Sequence, residues 1–250
     1  LESRSLSSKD NKSKELARGT KRNHKHKTYK PQFHYSSMTF KDYMQYKWFF
    51  TSSGKLVVGG RSAAQNDELL QRLKSSNQEL IIMHTSEPGS PFTAIISSPD
   101  KVSSSDLNEA AVFTGCFSRA WRSQKKKTII DIFSLSSLYK SNSMKTGTWG
   151  VKGKIQHKEA PLSLVLTKQK GILRAVPEST ASKSSVLLKV QPGKKDKEKM
   201  VQEIQVALNG AFNQEQILSA LPAGGVEFHP IKSPAKKTLA SSKKRKKRKK

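Results

Sequence analysis

The middle of the chain alternates between two apolar rhythms, one with the period of a strand and one with the period of a helix. YKWFFTSSGKLVVGG (46–60) predicts a hairpin: an aromatic-rich strand over Tyr46–Thr51, a Ser-Ser-Gly turn, and a second strand over Lys55–Gly59. From Ala63, AAQNDELLQRLKS places Leu69, Leu70 and Leu73 on one helical face. QELIIMH then predicts a short buried strand ending at His84, SEPGSP a loop, and FTAIIS the next strand. SSDLNEAAVFTGCFSRAW is the clearest helix, with a stripe through Leu107, Ala110, Ala111, Thr114, Phe117, Ser118 and Trp121. Ser105 is its expected N-cap, and Asp106 and Glu109 in the first turn favour the helix dipole. Beyond the polar RSQKKK loop and TIIDIFSLSSLYK come three short strand candidates, GTWGVKGKIQ, PLSLVLTK and GILRAVP.

These elements predict an α+β fold: a single domain with an antiparallel sheet and two main helices packed on one face, the other face left for a ligand. The pattern weakens after Pro177. STASKSSVLLKVQPGKKDK reads as a linker with one candidate strand, Val186–Val190. KEKMVQEIQVALNGAF sets Val201, Ile204, Leu208 and Phe212 at helical spacing, and NQEQILSALPAGG reads as a short helix with Asn213 capping and Gln216 three residues on. The expected organisation is a disordered basic arm over 1–40, the domain over 41–178, a linker with a short helical appendage over 179–229, and a disordered polybasic tail over 230–250.

Charge then narrows the class of partner. The net charge is +28, and it is concentrated at the ends: residues 1–30 hold ten Lys/Arg against three acids, and residues 179–250 hold seventeen against five. Eight of those seventeen form the closing KKRKKRKK. A surplus of this size favours polyanions. Cys116 is the only cysteine, which excludes an internal disulfide and suits a reducing compartment; its place in the helical pattern makes it a core thiol. No apolar run is long enough to span a membrane. His24, His26 and His34 lie in the arm without Cys or acidic company, so they read as solvated rather than metal-binding.

Catalytic signatures are missing from the sequence: there is no GxxxxGK[ST], no G-x-S-x-G, no HExxH and no CxxC. Gly59-Gly60 lacks the third glycine and the downstream acid of a dinucleotide fold. His84 near Glu87 suggests acid–base chemistry, against the plainer reading of a strand-end histidine with a structural hydrogen bond. A Cys116–His84 dyad would need the fold to bring the two together. More abundant are basic groups interleaved with aromatics: Arg61, Arg119, Arg122, Lys125–Lys127, Lys140, Lys145, Lys152 and Lys154, with Tyr139 and Trp149 as stacking candidates and Trp48 and Trp121 as core. Such interleaving suits RNA or single strands.

Several blocks resemble one family together. KWFFTSSGKLVVGGRSAAQNDELLQR resembles the NFACT-R signature W-F-x-S-x-x-G-x-L-x-x-G-G-R-x-x-x-Q-N-E, with Asp67 where the pattern has Glu. MHTSEPGSPF resembles its H-T-x-x-x-P-G-S loop through His84, Pro88, Gly89 and Ser90. LNEAAVFTGCFSRAW resembles its helix through Glu109, Ala110, Ala111, Ser118, Ala120 and Trp121. LYKSNSMKTGTWGVKGK resembles its V-S-K…G-x-x-x-G-S-F-x-I-x-G-K segment. The resemblance covers about residues 46–177. NFACT-R is the RNA-binding module of ribosome quality-control tailing factors and of bacterial fibronectin-binding-protein-like factors. The sequence looks like the standalone, archaeal-type form with basic extensions. That form implies a chain that does not elongate nascent peptides by itself.

The resemblance implies a non-catalytic RNA-binding protein without cofactor or metal, engaging tRNA, large-subunit rRNA or both in translation or ribosome quality control. The large ribosomal subunit is an expected partner and a membrane is not. Expected RNA-binding residues are Arg61, Gln65, Asn66, His84, Gly89, Ser90, Arg119, Lys140, Lys145, Thr146, Trp149 and Lys152. The cations are expected on phosphates and the Pro-Gly-Ser loop is expected to offer backbone N–H groups. Two alternatives stand beside this: an RNA- or tRNA-modification factor using His84, and a nuclear or nucleolar ribosome-assembly protein addressed by KKRKKRKK rather than a cytoplasmic one.

Overall fold

A computed structural model describes residues 42–182 and 185–230. The expectations for the basic arm and for the KKRKKRKK run fall outside the described residues.

β1 (Lys47–Phe50) and β2 (Leu56–Gly59) form the expected hairpin, with Trp48 opposite Val58 and Phe49 opposite Val57. They are followed by α1 (Ala63–Ser75), β3 (Ile81–Thr85), β4 (Thr93–Ile95), α2 (Ser104–Cys116), the single turn α3 (Arg119–Arg122), β5 (Lys127–Ser134), a two-residue pair β6 (Leu138–Tyr139) and β7 (Gly150–Val151), and β8 (Gln156–Pro161). The main sheet runs β1-β2-β4-β3-β5-β8, every neighbour antiparallel.

The α+β class and the antiparallel sheet are as the sequence predicts, but the two helices do not share a face. Along Tyr46–Phe50, at and just before β1, Tyr46, Trp48 and Phe50 alternate with Lys47 and Phe49. The Tyr46 hydroxyl donates to Glu68 of α1 at 3.1 Å, whereas the Phe49 ring lies 4.6 Å from Phe113 of α2. Phe49, Val57, Met83 and Ile95 pack with Ala110, Ala111 and Phe113, so α2 holds that face and α1 the opposite one. The cause is topological. The connections β2-α1-β3 and β4-α2-β5 each skip one strand in the same direction, but β2 and β4 run antiparallel, and two right-handed crossovers then fall on opposite sides. The sheet face expected to be open to a ligand is therefore occupied by α1.

The N-cap of α2 is Ser103 rather than Ser105. Asp106, at the third helical position, returns a bond to the Ser103 N–H at 2.9 Å and closes a capping box. Asp106 and Glu109 do more than face the dipole. Ser53 Oγ and Lys55 Nζ both reach Asp106, and Ser52 N–H donates to Glu109 at 2.8 Å, so the two acids pin the β1–β2 turn to α2.

The second half of the chain departs furthest from expectation. β9 (Leu164–Gln169), β10 (Ile172–Val176), β11 (Leu188–Asp196) and β12 (Gly225–Pro230) form a second antiparallel sheet in the order β10-β9-β11-β12, covered by α4 (Lys197–Ala207) and α5 (Gln214–Ala220). Leu166, Leu173, Val190, Ile204 and Ile217 pack there with Cys116 and Trp121, so this core is built onto the ends of α2 and α3. Most of the stretch read as linker and appendage is thus paired and packed. Leu188 and Val190 find partners both in β9 and in β12, up to some forty residues away, which no local pattern announces.

The β9–β10 hairpin also closes against β1. Gln169 accepts from Phe50 N–H at 2.8 Å and donates to Phe50 O at 2.9 Å. Arg174 donates twice to Trp48 O and lies 4.5 Å above the Trp48 ring.

Candidate functional site

At the glycine end of the main sheet lies a groove of about 610 Å³. Its floor is His84, Asp131 and Phe133 of neighbouring strands together with Phe92. Four segments form the walls: the turn Gly60–Ala63, the Pro88–Pro91 loop, Phe117 and Arg119 after α2, and the Thr146–Trp149 loop. Segments far apart in sequence therefore meet around one opening.

The turn is shaped by a close approach. A Cβ on Gly60 would stand 2.1 Å from Asn66 Oδ1, so only glycine lets the strand end touch the first turn of α1. Asn66 is buried and uses that oxygen to accept from Phe92 N–H at 3.1 Å. Gln65 accepts from Arg61 N–H at 2.8 Å and donates to Gln45 O. Both amides thus hold the turn in shape. Arg61 gives one bond to Tyr46 O at 3.1 Å, and its exposed guanidinium keeps further donors for the groove.

The Pro-Gly-Ser loop is locked in a comparable way. Gly89 has φ +106, and a Cβ there would lie 2.4 Å from Arg119 Cδ, while Arg119 N–H donates to Gly89 O at 2.9 Å. Loop and arginine form one unit. Ser90 is buried; its Oγ accepts from Thr85 N–H at 2.9 Å and donates to Pro91 O. His84 stacks on Phe92 at 4.4 Å and lies 2.7 Å through Nδ1 from Thr85 O. A carbonyl only accepts, so Nδ1 carries the hydrogen and Nε2 is the lone-pair nitrogen. Burial lowers the His84 pKa, more than the Thr85 carbonyl and Asp131 raise it, and the ring is neutral near pH 7.

The third wall hangs on one acid. Asp67 accepts from Trp149 Nε1 at 2.7 Å, Gly147 N–H at 2.9 Å and Lys140 Nζ at 3.1 Å. Burial alone would raise the Asp67 pKa, but these donors outweigh it and hold the carboxyl below its ordinary range. Lys140 also donates to the carbonyls of Lys145 and Thr148, which occupies its three N–H bonds. It braces the loop rather than facing a ligand.

Of the twelve residues singled out from sequence, Arg61, Asn66, His84, Gly89, Ser90, Arg119, Thr146 and Trp149 meet at the groove. Gln65 and Lys140 stand behind it as supports. Lys145 and Lys152 lie off the groove lining; both are exposed, and Lys152 sits 4.7 Å over the exposed Tyr139 ring. Trp48 and Trp121 are core, as expected. The sequence reading missed Asp67 as an anchor and Asp131 on the floor, where it accepts from Ser86 Oγ and pairs with His157. It also missed Lys47, an inward-facing lysine in an aromatic strand, which is itself a period-2 signal.

No dyad joins Cys116 to His84: Cys116 is fully buried in the second core, and burial drives its thiol pKa far upward. Among the described residues no cluster of metal-ligating side chains occurs, and no helix is long and apolar enough to cross a membrane.

The segments that build the groove are similar to known proteins. Residues 45–153 match the model of the NFACT protein RNA binding domain. Over 201 residues the chain is 30% identical to the archaeal Rqc2 homolog aRqcH of Methanocaldococcus jannaschii, which covers 74% of this chain and 29% of that protein. The C-terminal structure of the fibronectin/fibrinogen-binding protein from Streptococcus suis is 18% identical, with a TM-score of 0.42, covering 47% of this chain and 45% of that one. The groove walls from Lys47 to Val151 all fall within the matched span. Over residues 45–153, a little under half of its length, the chain is thus similar to the NFACT protein RNA binding domain.

Proposed function

We propose that the chain is a non-catalytic RNA-binding protein that grips structured RNA, tRNA or large-subunit rRNA, within ribosome-associated quality control. The observation that carries this is the groove itself. Arg61 and Arg119, brought from segments nearly sixty residues apart, flank an opening whose floor offers stacked rings and a neutral imidazole. Cations on the walls suit phosphates, and His84 Nε2 and the Trp149 face suit ribose or base edges. The family match and the archaeal Rqc2 homolog support RNA and the quality-control setting; the chain spans 29% of that relative's length.

A neutral histidine also suits a general base, but its neighbours give it no nucleophile. Ser90 Oγ is held between Thr85 N–H and Pro91 O, and Ser86 Oγ is held by Asp131. His84 accordingly serves as a recognition group.

The test is binding of a labelled tRNA transcript and of isolated large subunits to the full chain. Arg61→Ala with Arg119→Ala should weaken tRNA binding about tenfold or more and flatten the dependence of log Kd on log salt by roughly 2. Unchanged affinity and slope in a folded double variant would overturn the groove as the RNA site.

A further inference from the structure

Lys47 is the least expected member of the groove. Period-2 alternation puts it on the α2 side of β1, where its ammonium lies 5.0 Å from the centre of the Phe117 ring. Three further cations act on it electrostatically: Arg61 from the glycine turn, which shares the groove, Arg174 from β10 and Lys197 from α4. Arg174 is buried and bonded to the carbonyl of Trp48, and Lys197 to that of Leu218. None of the four takes part in an ion pair among the described residues. Asp131 on the groove floor bonds Ser86 and His157, and Glu198 acts on Lys197. Across the opening stands a fifth cation, Arg119.

Positive groups gathered without a counter-charge, partly out of water, repel one another. Lys47 records that strain: burial first, then Arg61, Lys197 and Arg174, push its pKa down from 10.5 to about 8. A tetrahedral anion placed between Lys47 and Arg61 supplies the missing charge.

We propose that Lys47 and Arg61 form a built seat for one phosphate of the bound RNA, backed by the charges of Arg174 and Lys197. This rests on the RNA reading of the groove. It extends that reading beyond the matched domain, because Arg174 and Lys197 lie outside residues 45–153 and belong to the second sheet and its helix. Below about pH 8 the Lys47 ammonium pairs with the phosphodiester directly; above it, a neutral amine, a solvent proton and the phosphodiester anion give the same ammonium–phosphate pair.

The test measures Kd of the full chain for a tRNA transcript from pH 6.5 to 9.5 at constant ionic strength, with inorganic phosphate as competitor in a parallel series. Affinity should hold up to about pH 8 and then fall, approaching tenfold per pH unit above it. His84 does not account for a fall above pH 8, because its pKa is lowered from the ordinary 6.5 and the ring is already neutral there. Lys47→Arg, which stays charged throughout, should bind as the native chain does at pH 7 and show a flat profile. Lys47→Met should bind about tenfold more weakly at pH 7, also with a flat profile. Native pH dependence in Lys47→Arg, or native affinity in a folded Lys47→Met, would overturn the seat. If Arg61→Ala and Arg119→Ala still weaken binding in that case, the RNA reading survives and only the seat fails. If the transcript never binds while phosphate does with the pH profile described, the seat stands for a free phosphate and the RNA reading fails.

Discussion

Replacing Asp67 by Asn should release one wall of the groove. The carboxylate takes donors from Trp149, Gly147 and Lys140, and the side chains of Asp67 and Lys140 are 17% and 22% exposed. An amide keeps one oxygen for these donors and turns an NH2 group toward the others. Removing one partner of a buried pair costs about 3–5 kcal/mol, and partial exposure lets water recover some of it, so a loss of about 2–3 kcal/mol is expected. At roughly 2–4 °C per kcal/mol for a folded unit of this size, the melting temperature should drop by about 5–10 °C. Hydrogen exchange should rise between Lys140 and Trp149 before it rises in the strands, because the anchor is local. The acid limb gives a second readout. Donors hold the folded carboxyl below its ordinary 3.8, so its stabilisation is complete above about pH 4 and is lost as pH falls further. Asp67→Asn should lack that part of the acid sensitivity. A variant that melts within 1 °C of the native chain, with unchanged exchange over 140–149, would refute the account of Asp67 as the anchor.

Lys47 should leave a mark on stability of the opposite sign. Its folded pKa of about 8 lies below the ordinary 10.5, so the unfolded chain binds more protons between these values and stability should rise with pH across them, by up to roughly 3 kcal/mol. Denaturant melts at pH 7 and pH 10 check this: Lys47→Met should be more stable than the native chain at pH 7 and should lose the alkaline rise. Gly89→Ala should cost about 1–3 kcal/mol and displace Arg119, since φ +106 and the 2.4 Å approach to Cδ both oppose a Cβ; thermal melts together with tRNA affinity would show it. Gly60→Ala should separate β2 from Asn66 and expose the Phe92 amide to exchange, an outcome that amide exchange reads directly.

What the sequence reveals depends on how far apart the partners are. The β1–β2 hairpin, α1, β3, β4 and α2 are each written within about fifteen residues, in turn residues and apolar period, and they form where expected, except that the helix read through to Trp121 stops at Cys116 and restarts as α3, capped by Ser118. Ser103 takes the cap in place of the expected Ser105: the reciprocal bond with Asp106 decides between three consecutive serines, and that bond is geometry rather than pattern. The helices' division between two faces depends on strand order, which local periodicity does not encode. β11 was the hardest to foresee. Pro192, Gly193 and Lys194–Lys195 read as linker, and the strand exists because Leu188 and Val190 are covered by β9, β12 and α4. The groove was legible in its glycines and arginines, which sit in distinctive blocks. Its supports were not, because Asp67 and Lys140 declare themselves only when a loop seventy residues away folds back.

The clasp of Gln169 and Arg174 on β1 has a consequence for how the chain meets others of its kind. The outer edge of an end strand is a row of unpaired amides and carbonyls, open to any passing strand. Here a side-chain amide imitates a neighbouring strand at Phe50, and a guanidinium occupies the carbonyl of Trp48. The molecule thus shuts one border of its sheet with its own side chains, and does so at a strand rich in aromatic residues, where an open border would most invite fibril-like stacking. Gln169→Ala should reopen it, turning a discouraged self-association into a permitted one.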